Sequence, residues 1–153
     1  MIYDYDNVRQ LFASVPSLIL SRPSGTVRFL TPAVQAGDDL VGTLSQYPYV
    51  RCEPLDFHYV CLQSLGCLNA DLLHDLTTHH GWAGILWASI LVALDPKSEF
   101  APILETARPR APHQIWAINL ALESIAEIRS KEHLECQLLL DRLAGQLRST
   151  WRP

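Results

Sequence analysis

The stretch that most constrains this chain is Gly81 to Leu94, GWAGILWASILVAL, which runs fourteen residues without a charged side chain between His80 and Asp95. At helical rise it spans about 21 Å, short of the roughly 20 apolar residues needed to cross a bilayer. It therefore reads as a helix buried inside a protein. A helix that is apolar all round needs neighbours on most sides, so the segments before and after it must supply the covering layers. Asp95-Pro96 closes it, because proline disfavours the α conformation in the residue before it.

Those flanking segments carry helical spacing. From Pro54, Leu55, Tyr59, Leu62 and Leu65 lie on one stripe, and Gly66 is placed to end that helix. Asn69 is positioned to cap the next helix, which carries Leu72, Leu73 and Leu76 and reaches Thr78 or His79 before a turn at His80-Gly81. After the central helix come Ser98 to Ala107, a break at Arg108-Pro109-Arg110, and a strong helix from Pro112 to Arg129 with Ile115, Ile118, Leu122 and Ile125 inward. Ser130 then caps a last helix, Lys131 to Arg148, whose inward face is Cys136, Leu139, Leu140, Leu143 and Leu147. Links of about two to six residues suit antiparallel neighbours.

The N-terminal part, residues 1–53, reads as less regular. Asp4 to Val15 fits a short amphipathic helix, and Asp38 to Gln46 a second one. Between them, Ser17 to Ser21 and Thr26 to Thr31 flank the turn-forming Arg22-Pro23-Ser24-Gly25 and predict a small β-hairpin, with an irregular loop packed on the helices as the rival. A lone hairpin is marginal in water, so it has to dock on helices. The expectation is a mainly α single domain over 1–153. Its helical core, 54–148, is built of antiparallel helical hairpins stacked in a HEAT-like or bundle arrangement, with the N-terminal β-hairpin appended.

Composition bounds function. The 153 residues suit one domain. Their 18% charged fraction is below the roughly 25% usual for soluble proteins, which leaves less polar surface to cover a monomer and accommodates a partner or a homo-oligomer. Net charge is −4, and residues 1–76 carry four Lys/Arg against eight Asp/Glu. That balance speaks against nucleic acid, which needs clustered cations, and suits a basic protein partner. The N-terminus has Asp4 and Asp6 where a signal peptide is positive, and no apolar run follows it, so a cytoplasmic protein without a membrane association is expected. Cysteines 52, 61, 67 and 136 have neither CxxC nor zinc-ribbon spacing and read as buried, reduced thiols.

A resemblance adds to this. The run from Asp71 to Ile125 holds Leu72-Leu73, Gly81-Trp82, Trp87-Ala88, Leu91, Leu94-Asp95-Pro96 and Ile103-Leu104, followed by a second long helix. It resembles HEAT-like paired helices and is similar in pattern to small helical bacterial proteins, among them immunity partners of secreted polymorphic toxins. The resemblance implies a non-catalytic protein that binds another protein. It assigns no residue a role.

Several constellations carry residue types capable of chemistry. His74, His79 and His80 include the commonest metal-ligand type, yet His74 and His79 stand about 140° apart around a helix and form no HExxH. They read more simply as polar residues at a helix end. His58 and Cys61 share a face at three-residue spacing but lack an orienting group, and Glu132-His133 near Cys136 reads as a first turn beside a buried thiol. Neither GxxxxGK[ST] nor GxGxxG occurs, so no nucleotide loop and no cofactor are expected. Arg108, Arg110, Arg129 and Lys131 fall at helix ends and fit solvated charge or a site for an acidic group.

The remaining pointer is acidic and aromatic: Asp38, Asp39, Glu53, Asp56, Asp71 and Asp75, interleaved with Tyr47, Tyr49, Phe57 and Tyr59, of which Phe57 and Tyr59 also fit the core. Acidic groups steer a basic partner, and tyrosines supply contact energy. The leading expectation is a protein that occludes the active site of a basic toxin domain without chemistry of its own. The alternatives are a metal protein or enzyme using His74, His79 and His80, and an adaptor subunit of a larger assembly. The central helix is expected to pack rather than bind, with Trp82 and Trp87 as packing residues. Ile85→Asp should abolish folding, since an unpaired buried charge costs several kcal/mol; a soluble variant with a cooperative melt would contradict this placement.

Overall fold

A computed structural model describes residues 19–40, 61, 64–65 and 68–150. Among them the regular structure is entirely helical: α1 (Pro23–Leu40), α2 (Ala70–His79), α3 (Gly81–Leu94), α4 (Ala101–Ala107), α5 (Ile115–Ala126) and α6 (Leu134–Thr150). Short 3-10 turns at Ile19–Ser21, Ser98–Phe100, Arg108–Arg110 and Pro112–Gln114 join or precede them.

The centre is α3, as its apolarity requires. Every residue from Gly84 to Leu94 is buried, and α2, α4, α5, α6 and the Ile19–Ser21 turn all pack against it. The link from α2 takes two residues of sharply different backbone. His80 closes α2, and Gly81 turns the chain at φ +62°, a conformation open to glycine at little cost. Gly84 then lets the two helices approach: a Cβ placed there would lie 2.0 Å from the Leu76 carbonyl oxygen. Asn69 caps α2 as expected, accepting the Leu72 N–H at 2.8 Å, and Leu72, Leu73 and Leu76 are buried.

The N-terminal expectation requires correction. Thr26 to Thr31 lies within α1 and is no hairpin arm; of Ser17 to Ser21, the described residues 19–21 form a 3-10 turn. Pro23 opens the helix at a position where a missing N–H costs nothing, so Pro-Ser-Gly is a helix start. The Thr26 hydroxyl donates back to the Leu20 carbonyl at 2.9 Å and is fully buried. Leu30, Ala33 and Val34 give α1 its apolar face, and that tertiary burial outweighs the β preference of the Thr and Val residues. α1 lies along α6. The expected helices Asp4 to Val15 and, beyond Leu40, Asp38 to Gln46 lie outside the described residues, as do Leu55, Tyr59 and Leu62; Leu65 is partly buried against the core.

Two boundaries also move. α5 stops at Ala126 instead of Arg129, because Glu127 adopts the left-handed conformation at φ 58°. The Ile128 N–H reaches the Glu123 carbonyl at 2.8 Å and the Glu127 N–H that of Ser124 at 3.3 Å, the double closure of a Schellman end. Ser130 does cap the following turn, accepting the His133 N–H at 3.3 Å, although regular α6 begins only at Leu134. Its expected inward residues are buried, Leu139 in part. No helix among the described residues is long and apolar enough to cross a membrane.

Gly84→Ala should lower stability: the helix-propensity gain of about 1 kcal/mol is smaller than the overpacking penalty of about 1–3 kcal/mol or more where backbone must move. Gly145→Ala, with open space around its Cβ position, should raise stability by about 0.5–1 kcal/mol. Urea unfolding of the two variants should thus show midpoints displaced in opposite directions.

Candidate functional site

Three separated pieces of chain meet at a groove of about 610 Å³. The first is Ser21-Arg22, at the end of the opening 3-10 turn. The second is Trp82, in the first turn of α3, and the third is the lead-in to α5 from Arg110 to Gln114. Trp116 on α5 holds the first against the third, its indole N–H donating to the Ser21 carbonyl at 2.9 Å. Trp82 is 40% exposed, whereas Trp87 on the same helix is fully buried. The expectation that both tryptophans serve packing therefore holds for Trp87 alone.

The groove is electropositive. Arg22, Arg110 and His113 line it without an Asp or Glu among the lining residues, and none of the three side chains makes an ion pair or hydrogen bond with another described residue. Two other described arginines are engaged. Arg108 is paired with Glu105 at 3.2 Å and donates to the Asn119 side chain at 2.9 Å, and Arg129 pairs with Asp141. The cations at the helix ends thus divide: Arg108 and Arg129 are tied to local partners, Lys131 is exposed, and Arg110 is joined with Arg22 across 88 positions of sequence.

The histidine cluster does not assemble. His74 and His79 are exposed on α2, while His80 turns its Nε2 to the Asp75 carboxylate at 2.8 Å. Among the described residues no group of three His, Cys, Asp or Glu side chains is arranged to hold a metal ion. His133 is buried with Nδ1 2.7 Å from Glu123, and Ser130 Oγ approaches the same nitrogen at 3.4 Å. A nucleophile triad needs acid and hydroxyl on opposite ring nitrogens; here both meet one. Gln137 adds a bond to the Ile128 carbonyl at 3.1 Å, so the cluster clasps the end of α5 to the start of α6.

Of the expected acidic and aromatic surface, Asp71 is exposed and Asp75 is occupied by His80. The Asp38 and Asp39 side chains, and Tyr47, Tyr49, Glu53 and Asp56, lie outside the described residues, as does His58. Sequence places Arg110 among cations that fit a site for an acidic group, but with Arg108, Arg129 and Lys131 as its companions and without Arg22 or Trp82. The one available signal for the groove was Arg22 and Arg110 each standing beside a proline in a turn, which says nothing of their meeting. No family model, curated protein or solved structure matches the chain.

Both described thiols are buried and inert. Burial pushes Cys61 up to about 12, and burial together with the negative charge of Glu135 pushes Cys136 up to about 11, from an ordinary 9.0. A thiol whose pKa rises on folding stabilises the fold fully below the unfolded value; above it the unfolded chain ionises first and stability falls. The Cys136 contribution should therefore be lost between about pH 9 and pH 11. Denaturant melts across that range should show a shallower decline for Cys136→Ala than for the parent. Iodoacetamide at neutral pH should label Cys61 and Cys136 only after unfolding.

Proposed function

We propose that this chain is a non-catalytic, cytoplasmic protein-binding protein, and specifically an immunity protein that neutralises a cognate bacterial toxin by covering its active site. The observation that carries the reading is the Trp82 groove. An indole and two arginines stand on one concave face, unused by the fold. Trp and Arg are the residues most enriched at binding hot spots, because each buries a large rigid surface and still offers hydrogen bonds. Exposed Asp71 offers a second, negative contact point. Inhibition of this kind arises from burial and charge complementarity, and it asks no side chain to react.

The reading through His74, His79 and His80 has less support, since His80 is committed to Asp75. The paired helices α2 and α3 and the apolar packing of α5 on α3 agree with the HEAT-like resemblance of the sequence and support the choice of a scaffold that presents a surface. Co-expression with a toxin domain encoded beside this chain tests the proposal. The expected outcome is an equimolar complex and restored growth; a toxin that neither binds nor is neutralised would overturn it.

A further inference from the structure

Resting on the protein-binding reading above, we propose that the groove between the start of α3 and the lead-in to α5 takes an acidic peptide segment of the partner. Its carboxylates sit on Arg22 and Arg110, and an apolar side chain lies on the Trp82 indole.

Charge fixes the sign of the occupant. The chain as a whole is acidic, at −4, yet this groove is lined by Arg22, Arg110 and His113 with no carboxylate among its lining residues. Arginine presents a planar fork that matches a carboxylate through two parallel hydrogen bonds. Such pairing is seen elsewhere in the described residues, where Glu105 and Asn119 engage Arg108 and Asp141 engages Arg129. The groove arginines lack that partner among the described residues. α3 adds to the field, because it begins at the groove without a side-chain cap from His80. Its first backbone N–H groups carry the positive end of the helix.

Apolar surface fixes the kind of anion. Trp82 is 40% exposed at the head of a helix that is otherwise buried from Gly84 onward, and Ala111 and Pro112 continue the apolar lining beside it. A bare inorganic anion leaves this surface uncovered, whereas a peptide covers it with a side chain while its carboxylates reach the arginines. The volume, about 610 Å³, lies within the roughly 300–1,000 Å³ of ligand-binding clefts. A nucleic-acid strand is disfavoured, since it requires a track of cations and the groove supplies two arginines on a protein of sequence pI about 5.8.

The test uses the full chain and four fluorescein-labelled probes followed by anisotropy. These are a short acidic peptide with a central phenylalanine, the same peptide with lysine for each acid, the acidic peptide with central alanine, and an oligothymidine. The acidic phenylalanine peptide should bind; Arg22→Glu and Arg110→Glu should each weaken it at least about tenfold, as should Trp82→Ala or the alanine peptide. Thermal melts of the two arginine variants should match the parent, because neither side chain supports the fold. Equal binding of the lysine peptide, preference for oligothymidine, or no binding of the acidic peptide would overturn the groove assignment. The cognate toxin separates the two levels. Unchanged toxin affinity in Arg110→Glu and Trp82→Ala refutes the groove proposal and leaves the protein-binding reading standing, whereas peptide binding without toxin binding or rescue refutes the immunity reading alone.

Discussion

Burial of α3 on all sides is the constraint from which the rest of the architecture follows. Eleven consecutive residues, Gly84 to Leu94, are removed from solvent, and each fully buried Leu or Ile among them is worth about 1.5–3 kcal/mol before the entropy of ordering is subtracted. One helix can reach that state only if several others surround it. The two glycines near its start make this geometrically feasible: Gly81 permits the abrupt turn out of α2, and Gly84 permits contact between the helix backbones. The cover is completed from distant sequence, by α5 and α6 on one side of the chain and the Ile19–Ser21 turn on the other.

The pair α1 and α6 joins distant parts of the chain, and specific polar ties fix its placement. Gln146 donates to the Val34 carbonyl at 2.7 Å in a buried setting, and the Cys136 thiol reaches the Pro23 carbonyl at 3.7 Å. Together with the Trp116 bond to Ser21, they hold the start of α1 against the C-terminal helices. Each bond contributes about 0.5–1.5 kcal/mol net, so their larger effect is positional. Arg22 sits between two anchored carbonyls, those of Ser21 and Pro23, and is therefore carried to the same place as Arg110 and Trp82. The candidate site is in this sense a by-product of closing the fold.

Legibility in the sequence tracked how local the deciding interaction was. The Asn69 cap, the Leu72, Leu73 and Leu76 face and the limits of α3 all rest on residues within a turn or two of one another, and these matched. The Ser130 cap matched for the same reason. α1 did not, because Pro23-Ser24-Gly25 is compatible with both a turn and a helix start, and the choice is made by burial of Thr26, Leu30 and Val34 against elements more than a hundred residues away. The end of α5 did not, because a glutamate occupies the left-handed position where glycine would have announced it.

Sequence by itself determined that this chain is helical, that Gly81 to Leu94 lies at its centre, and that Cys61 and Cys136 are buried, since period, capping residues and the absence of charge are properties of neighbours in the chain. Tertiary structure decided which charges remain unspent. Arg108 and Arg110 are indistinguishable as letters beside Pro109, yet one pairs with Glu105 and donates to the Asn119 side chain while the other faces a groove with Arg22 and Trp82. The helix that sequence assigned wholly to the core also puts a tryptophan on the surface, because burial of α3 begins only where its neighbours reach it, past the first turn.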